Sequence, residues 1–187
     1  IRIGLSANWR WIDRIEGKGK NVKTKRADRG GADMEIITFG TKENRVEYRK
    51  RPAVYGLIFS ENKEKIAIIR TSDGKCFLPG GGIEGEETHE ECMKREALEE
   101  MGRAIEMGPF IGEAQRYFYS DTENVHYLNE ASFYICEAGP PICEPTEEDH
   151  SLVWLDPTNS ANYLFHDHQA WAVDEALKRF RYKLGMF

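Results

Sequence analysis

Residues 80–102 read GGGIEGEETHEECMKREALEEMG, and this stretch decides the fold of the chain. A glycine-rich turn leads into a helix signal. Thr88 is a typical N-cap residue, and Glu91 stands three positions later, as a capping box requires. Gly102 is typical of the position just past a helix, because glycine readily adopts the left-handed backbone conformation found there. The segment therefore predicts a helix over residues 88–101 with defined ends.

The predicted helix has two faces of opposite character. One face is an apolar stripe made of Met93, Ala97, Leu98 and Met101. The other carries Glu96, Glu99 and Glu100, which lie on one side of a helix that turns about 100° per residue. Like charges at this spacing repel, and each pair costs a few tenths of a kcal/mol. Either water or a cation must offset that repulsion, and an all-oxygen ligand set favours Mg²⁺ or Mn²⁺.

The same stretch resembles the Nudix box, G-x5-E-x7-R-E-U-x-E-E-x-G-U, in which U is a bulky aliphatic residue. All of its fixed positions are present without insertion or deletion, namely Gly81, Glu87, Arg95, Glu96, Glu99, Glu100 and Gly102. Two positions depart from the pattern: Ala97 is small for the first U, and Arg103 is not aliphatic at the last. Both departures concern packing, and a match at so many fixed spacings is a specific signal. Residues 39–180 resemble a whole MutT-like Nudix domain.

The resemblance implies a three-layer α/β/α sandwich with a mixed sheet, and hydrolysis of a nucleoside diphosphate linked to another group. It also implies that Mg²⁺ or Mn²⁺ is bound. Glu99 and Glu100 correspond to direct metal ligands, and Glu96 to a ligand that is also the general base in MutT-like members. Gly80, just before the box, would offer its carbonyl oxygen to metal.

Further roles follow from the same resemblance. Glu87 would bind through a metal-bound water or tie the loop to the helix. Arg95 would orient a glutamate, with Glu96 the first choice, through a bidentate ion pair. Some family members place the general base on a later loop, for which the candidates are Glu123 and Glu130. We also assign Arg116, in a basic and aromatic strand, a contact with substrate phosphate as an alternative to simple exposure on a strand.

Outside the box, the coarse pattern is strands, helix, strands and a closing helix over residues 166–180. Short strands are expected at residues 36–39, 46–48, 53–59, 65–70, 76–78 and 152–155, and long ones at 105–119 and 125–137. This order predicts an α+β or α/β sandwich, with a mixed sheet between helices.

The composition is that of a soluble globular protein, with 40% hydrophobic and 31% charged residues among 187. We see no apolar run long enough for a membrane span and no signal peptide. The four cysteines have no CxxC spacing, so we expect reduced thiols and a cytoplasmic location. Monomer and homodimer both stay open.

Charge divides the chain at about residue 33. Residues 1–33 hold nine Lys or Arg and four Asp or Glu, a local charge of +5, which leaves −11 on the rest. We expect residues 1–33 to be a disordered or non-native extension and residues 34–187 to form the Nudix hydrolase domain, with Met34 as a candidate start. The acidic domain argues against long nucleic acid as a partner and suits a small nucleotide held through metal.

Two alternatives remain beside the hydrolase hypothesis. A Nudix-like module could bind a nucleotide or nucleotide sugar without turning it over, although loss of box glutamates would normally mark such a protein and none is lost here. A role in RNA binding or RNA-end processing rests only on the basic residues 1–33.

Overall fold

A computed structural model describes residues 22–27 and 33–183 of the chain. The strands are β1 (Val22–Ala27), β2 (Asp33–Phe39), β3 (Arg49–Ile58), β4 (Ile66–Thr71), β5 (Cys76–Phe77), β6 (Gly80–Gly82), β7 (Arg103–Ser120), β8 (Val125–Pro141) and β9 (His150–Leu155). The helices are α1 (His89–Met101), α2 (Ser160–Tyr163) and α3 (Asp167–Lys183), and a short 3₁₀ helix (Pro157–Asn159) precedes α2.

The larger sheet is mixed and has the strand order β1-β2-β7-β8-β3-β6. The pairs β2–β7 and β3–β8 are parallel, whereas β1–β2, β7–β8 and β3–β6 are antiparallel. A second, antiparallel sheet has the order β5-β4-β9. The pairing of β6 with β3 is what matters for function, because it brings the glycine turn to the edge of the large sheet, beside α1.

The middle strands are buried on both faces, with α1 on one side and α3 on the other. On β3, Val54 and Ile58 belong to the core cluster of Met93 and Ala97 on α1. The alternate residue Leu57 belongs to the other cluster, with Val173 on α3. A strand covered on both faces reads as a continuous apolar run, which is why this segment lacks a polar alternation.

This arrangement confirms the predicted sandwich with a mixed sheet between helices. The strands of both sheets contribute to both clusters, since Ile66 and Ile68 of β4 face the α3 side while Ala67 and Ile69 face the α1 side. The short strand expected at residues 46–48 is absent, and β3 begins at Arg49 instead. None of the helices in the described ranges is long and apolar enough to cross a membrane.

The basic extension is described only in part. Residues 22–27, part of the segment that we expected to be a disordered or non-native extension, form β1 and pair antiparallel with β2. The physical reason is that the exposed edge of β2 offers backbone groups for another strand. Residues 1–21 and 28–32, to which the rest of that expectation applies, lie outside the described residues, and the domain boundary near residue 34 stays a prediction.

Helix α1 begins as its sequence predicts. Thr88 has an extended backbone, its Oγ1 accepts from the Glu91 N–H at 3.2 Å, and a Glu91 carboxylate oxygen accepts from the Thr88 N–H at 2.8 Å. At the other end, Gly102 has φ +62° and its N–H donates to Leu98 O at 3.0 Å. The apolar stripe differs in one place, because Leu98 is 37% exposed whereas Met93, Ala97 and Met101 are buried.

We expect Thr88→Ala to lower the free energy of unfolding by about 1 kcal/mol, because it removes one half of the capping box. Urea denaturation followed by circular dichroism measures this change. Thr41→Ala, in an exposed loop, is the matched control and should stay within about 0.5 kcal/mol of wild type. Equal effects of the two substitutions would show that the box does not stabilise the helix.

Candidate active site

The Arg95 guanidinium is the centre of the acidic cluster. Its Nε and Nη2 donate to the two oxygens of Glu87 at 2.7 and 3.0 Å. Its Nη1 donates to Glu96 Oε1 at 2.8 Å and to Glu99 Oε2 at 3.0 Å. One cation therefore contacts three carboxylates, and its Nη2 also donates to the carbonyl of Gly82 at 2.9 Å.

The bidentate partner of Arg95 differs from our expectation. We predicted a fork on Glu96, whereas the structure places the fork on Glu87 and a single bond on Glu96. The reason is local geometry: Glu96 is the next residue on the helix and points about 100° away, while Glu87 approaches from the preceding loop and can lie along one edge of the guanidinium.

Glu87 joins the loop to the helix. Besides the Arg95 fork, its Oε2 accepts from the Glu84 N–H at 2.9 Å. Arg95 first, and then the Glu84 N–H, lower the pKa of the Glu87 carboxyl to about 2, so this group stays ionised. Of the two roles implied for Glu87, these contacts match the tie between loop and helix.

The glycine turn lets the backbone approach the helix carboxylates. Gly80 has φ +123°, and its N–H donates to Glu100 Oε2 at 2.9 Å. A Cβ on Gly80 would lie 2.2 Å from the carbonyl oxygen of Val54, and one on Gly81 would lie 2.4 Å from Glu96 Oε1. Position 80 therefore needs glycine, whereas a side chain at position 81 would displace the Glu96 carboxylate. The contact seen for Gly80 uses its N–H, and the implied role of its carbonyl stays a prediction.

Two of the three stripe glutamates are withdrawn from water. Glu96 and Glu100 are 9% and 5% exposed, whereas the Glu99 side chain is 38% exposed. Burial raises the pKa of Glu96, against the opposing effect of Arg95, and raises that of Glu100 well above its usual value. Nearby carboxylates, Glu96 and Glu147 among them, raise the Glu100 pKa further. Buried acids in this condition require a proton or a cation.

These carboxylates line a cleft of about 530 Å³. The acidic lining residues are Glu84, Glu96, Glu99, Glu100, Glu123 and Glu147. The start of β3 lies in the same lining and contributes three consecutive cations, Arg49, Lys50 and Arg51. The cleft therefore combines a carboxylate cluster suited to metal ions with side chains suited to phosphate.

A return loop supplies two site residues that the sequence reasoning missed, Glu147 and His150. The N–H groups of Thr146 and Glu147 donate to the Glu99 carbonyl at 2.9 and 3.2 Å, which holds the loop on the end of α1. His150 Nδ1 lies 3.7 Å from Glu100 Oε1 and also contacts Glu147. The sequence signal was the acidic run ending in histidine just before a strand, EEDHSLVWL at 147–155.

The Glu100, Glu147 and His150 ligand atoms lie within 4.8 Å of one another. The Glu147 Oε2 and His150 Nδ1 atoms are buried, and neither has a partner with hydrogen-bond geometry in the described part of the chain. Their contact is an ion pair only when the imidazole is protonated. A divalent cation would satisfy both atoms, so the residues present fit a metal ion.

The two later candidates for the general base lie at different places. Glu123 lines the cleft and lies 3.5 Å from Arg51 Nη1. Glu130 lines a second, smaller cavity and accepts from Lys50 Nζ at 3.2 Å.

Arg116 is not in the lining of either cavity; it forms an ion pair with Asp167 at the start of α3. The structure therefore does not bring Arg116 to the cleft.

Comparison with known proteins identifies the family to which the chain belongs. The sequence profile of the NUDIX domain matches residues 49–176, which is more than half of the chain. The chain belongs to the Nudix family. It is a hydrolase of pyrophosphate bonds, in a family that acts on nucleoside diphosphate derivatives.

Individual relatives agree with this assignment. An uncharacterized Nudix hydrolase, YfcD, from Salmonella typhi is 27% identical over 132 residues, which cover 67% of this chain and 68% of the relative. A MutT-like protein from Streptomyces ambofaciens is 28% identical over 105 residues, 56% of this chain and 63% of the relative.

Solved structures share the fold. A MutT protein from Methanosarcina mazei Go1 superposes with a TM-score of 0.55 at 21% identity, covering 72% of this chain and 98% of that one. A NUDIX hydrolase from Nitrosomonas europaea also gives a TM-score of 0.55, at 13% identity, covering 70% of this chain and 90% of that one.

We expect Gly81→Ala to damage the site because the new Cβ would displace the Glu96 carboxylate. Its kcat should fall at least about tenfold, since a misplacement of about 1 Å within an active site can cost about 10²-fold. The adjacent Gly82→Ala is the matched control, since its Cβ would meet nothing closer than Arg51 Nε at 3.5 Å. Steady-state kinetics measure kcat for both variants, and equal losses of kcat would contradict the expected effect of Gly81→Ala.

Proposed function

We propose that the chain is a Mg²⁺- or Mn²⁺-dependent nucleotide pyrophosphohydrolase whose substrates include nucleoside triphosphates, oxidised ones among them. The observation that carries this proposal is the burial of Glu96 and Glu100 beside Glu99 and Glu147. Burying several carboxylates together is unfavourable unless cations accompany them. Arg95 donates to Glu96 and Glu99, whereas neither Glu100 nor Glu147 accepts a hydrogen bond from it in the described ranges.

The residues that would hold the metal divide into two groups. The α1 stripe supplies Glu96, Glu99 and Glu100, as the family resemblance implies, with the Gly80 carbonyl. The return loop adds Glu147 and His150, whose buried Oε2 and Nδ1 atoms contact each other and lie within 4.8 Å of a Glu100 carboxylate oxygen. When bound, the cation neutralises phosphate charge and makes a bound water more acidic.

The chain's own groups do the remaining work. Arg49, Lys50 and Arg51 line the same cleft as the carboxylate cluster and would hold phosphate oxygens. Arg51 is positioned by Glu123, at 3.5 Å, and by its place over the Tyr127 ring, 5.5 Å from the centroid. Substrate would thus lie between the basic start of β3 and the acidic face of α1.

Glu96 remains our proposed general base. It lines the cleft, it is held by Arg95 Nη1, and burial raises its pKa toward the range in which a carboxylate accepts a proton from water efficiently. Glu123 is the second candidate because it lines the same cleft. Glu130 is less well supported, since it is paired with Lys50 and faces the other cavity.

The alternative is a Nudix-like module that binds a nucleotide or nucleotide sugar without turnover. Its mark would be a nucleotide that raises the melting temperature while no product forms. The retention of every box glutamate favours turnover.

We also propose a cytoplasmic location, supported by four unpaired cysteines, three of them buried.

Glu96→Gln should lower kcat for release of nucleoside monophosphate by about 10²-fold or more, because it removes the proposed base and one metal ligand. Glu90→Gln is the matched control, because Glu90 lies on the exposed face of the same helix and pairs with Lys94 at 2.6 Å. A panel of nucleoside triphosphates, nucleotide sugars and dinucleoside polyphosphates with phosphate detection provides the measurement. Undiminished activity in Glu96→Gln would contradict the proposed roles of Glu96 as general base and metal ligand.

The proposed site also predicts how stability responds to pH. Glu96 and Glu100 have raised pKa values in the metal-free fold, so the folded state binds protons more tightly than the unfolded chain. The stabilisation that these two protonated carboxyls give the folded state is fully present below the ordinary glutamate pKa. It is lost as the pH rises through their raised pKa values. Metal ions replace those protons. The melting temperature of the Mn²⁺-loaded protein should therefore increasingly exceed that of the metal-free protein as the pH rises above the ordinary glutamate pKa.

Differential scanning calorimetry with and without Mn²⁺ tests this expectation. The increase with pH should be smaller in Glu100→Gln, which cannot ionise, and unchanged in Glu90→Gln. A difference that stays constant across the pH range would contradict the proposed ligand set.

A further inference from the structure

The chain enters the glycine turn of the site by crossing from one sheet to the other. Strand β5 pairs with β4 in the smaller sheet, whereas β6 pairs with β3 in the larger one. Leu78 and Pro79 are the whole connection between these two strands. Leu78 is in register with neither partner strand, and Pro79 has no N–H to donate. The Leu78 N–H therefore needs a hydrogen-bond partner from outside the two ladders.

Helix α3 supplies that partner from the opposite layer of the sandwich. The Leu78 N–H donates to Gln169 Oε1 at 2.9 Å, across a separation of 91 residues in the chain. Leu78 and Gln169 are both 0% exposed, so water cannot take the place of this bond without a rearrangement of the core. A buried N–H that loses its acceptor is costly and is rare in folded proteins.

The position of Gln169 is itself fixed, because the start of α3 is held on two strands. The Phe165 N–H donates to the Cys76 carbonyl on β5 at 2.9 Å. On the other side, His168 Nε2 lies 3.2 Å from Asn129 Oδ1 on β8. The Gln169 amide therefore offers its oxygen at a defined place next to the crossing.

From Leu78 the constraint reaches the carboxylate cluster within two residues. The Pro79 ring restricts its own backbone, and its carbonyl accepts from the Gly56 N–H at 2.8 Å. Gly80 comes next, and its N–H donates to Glu100 Oε2 at 2.9 Å. A shift of the backbone at Leu78 would therefore move Gly80 relative to Glu100.

We propose that Gln169 is a positioning residue of the active site, which holds the chain ahead of Gly80 so that Gly80 meets Glu100. This inference rests on the proposed function, in which Glu100 and the Gly80 carbonyl are metal ligands. Gln169 is not in the lining of the cleft, and it acts through the backbone of Leu78.

The other end of the Gln169 amide supports this role. Its Nε2 atom is buried and has no hydrogen-bond partner in the part of the chain that the structure describes. A buried donor without a partner costs free energy, so an apolar side chain would serve the core better at this position. The acceptor oxygen is therefore the property of Gln169 that the crossing requires.

Gln169→Met tests the role, because it removes the acceptor and keeps an unbranched side chain that adapts to a core. We expect kcat at saturating Mn²⁺ to fall about tenfold and the Kd for Mn²⁺, from isothermal titration calorimetry, to rise about tenfold, as for other residues that support metal ligands. The KM should stay unchanged, because the cations of the cleft are untouched.

Val173→Ala is the matched control, since Val173 is 0% exposed on the same helix and its truncation removes packing but no hydrogen-bond acceptor. It should lower the melting temperature and leave kcat and the Kd for Mn²⁺ unchanged at a temperature where both variants are folded. If Val173→Ala weakens Mn²⁺ binding as much as Gln169→Met does, loss of packing explains the effect and the inference is wrong.

Amide hydrogen exchange in the metal-free protein separates this inference from the proposed function. Measured by NMR relative to the amides of β3, exchange of the Gly80 N–H should be at least about tenfold faster in Gln169→Met than in wild type, and unchanged in Val173→Ala. If wild type hydrolyses no nucleotide but this difference appears, the proposed function fails and the positioning of Gly80 by Gln169 stands. If the Gly80 N–H exchanges in Gln169→Met as it does in wild type, the inference is wrong even where wild type is active.

Discussion

The contact on which the rest of the site depends is that of the Arg95 guanidinium with three carboxylates. Glu87, Glu96 and Glu99 would repel one another without it, and each receives at least one N–H from this side chain. Those carboxylates raise the pKa of Arg95, so it stays charged. Lysine could not replace it, because only a planar fork can bond along two edges at once. Arg95 thus fixes the carboxylates from the protein side and leaves the opposite side open to the cleft.

Local sequence predicted the elements whose causes are local. The capping box of Thr88 and Glu91, the end of α1 at Gly102 and the stripe of glutamates all follow from spacing along one helix. The apolar run at residues 53–59 predicted a strand, and β3 covers it up to Ile58. These features needed no knowledge of distant contacts, and the sandwich with a mixed sheet followed from their order. Leu98 shows the limit, since its 37% exposure depends on which part of the sheet the helix covers.

The other features of the site depend on contacts between residues that are far apart in the chain. Glu147 and His150 reach the site only because their loop returns to the carbonyl of Glu99, and no periodicity reports that contact. Arg116 was placed at the substrate for its charge, whereas α3 brings Asp167 to it. Residue type therefore identified which groups could act, and tertiary contacts decided which of them meet.

The loop that returns to the end of α1 has a consequence for engineering. The recognisable motif is 23 consecutive residues, 80–102, yet its helix terminus is closed by backbone donors from residues 146 and 147 and its glycine turn is held by pairing with β3. A synthetic peptide of residues 80–102 would keep every residue that identifies the motif. It would lose both the donors that close the helix end and the pairing of the glycine turn with β3. Transplanting the site into another scaffold would require three chain segments converging at one sheet edge.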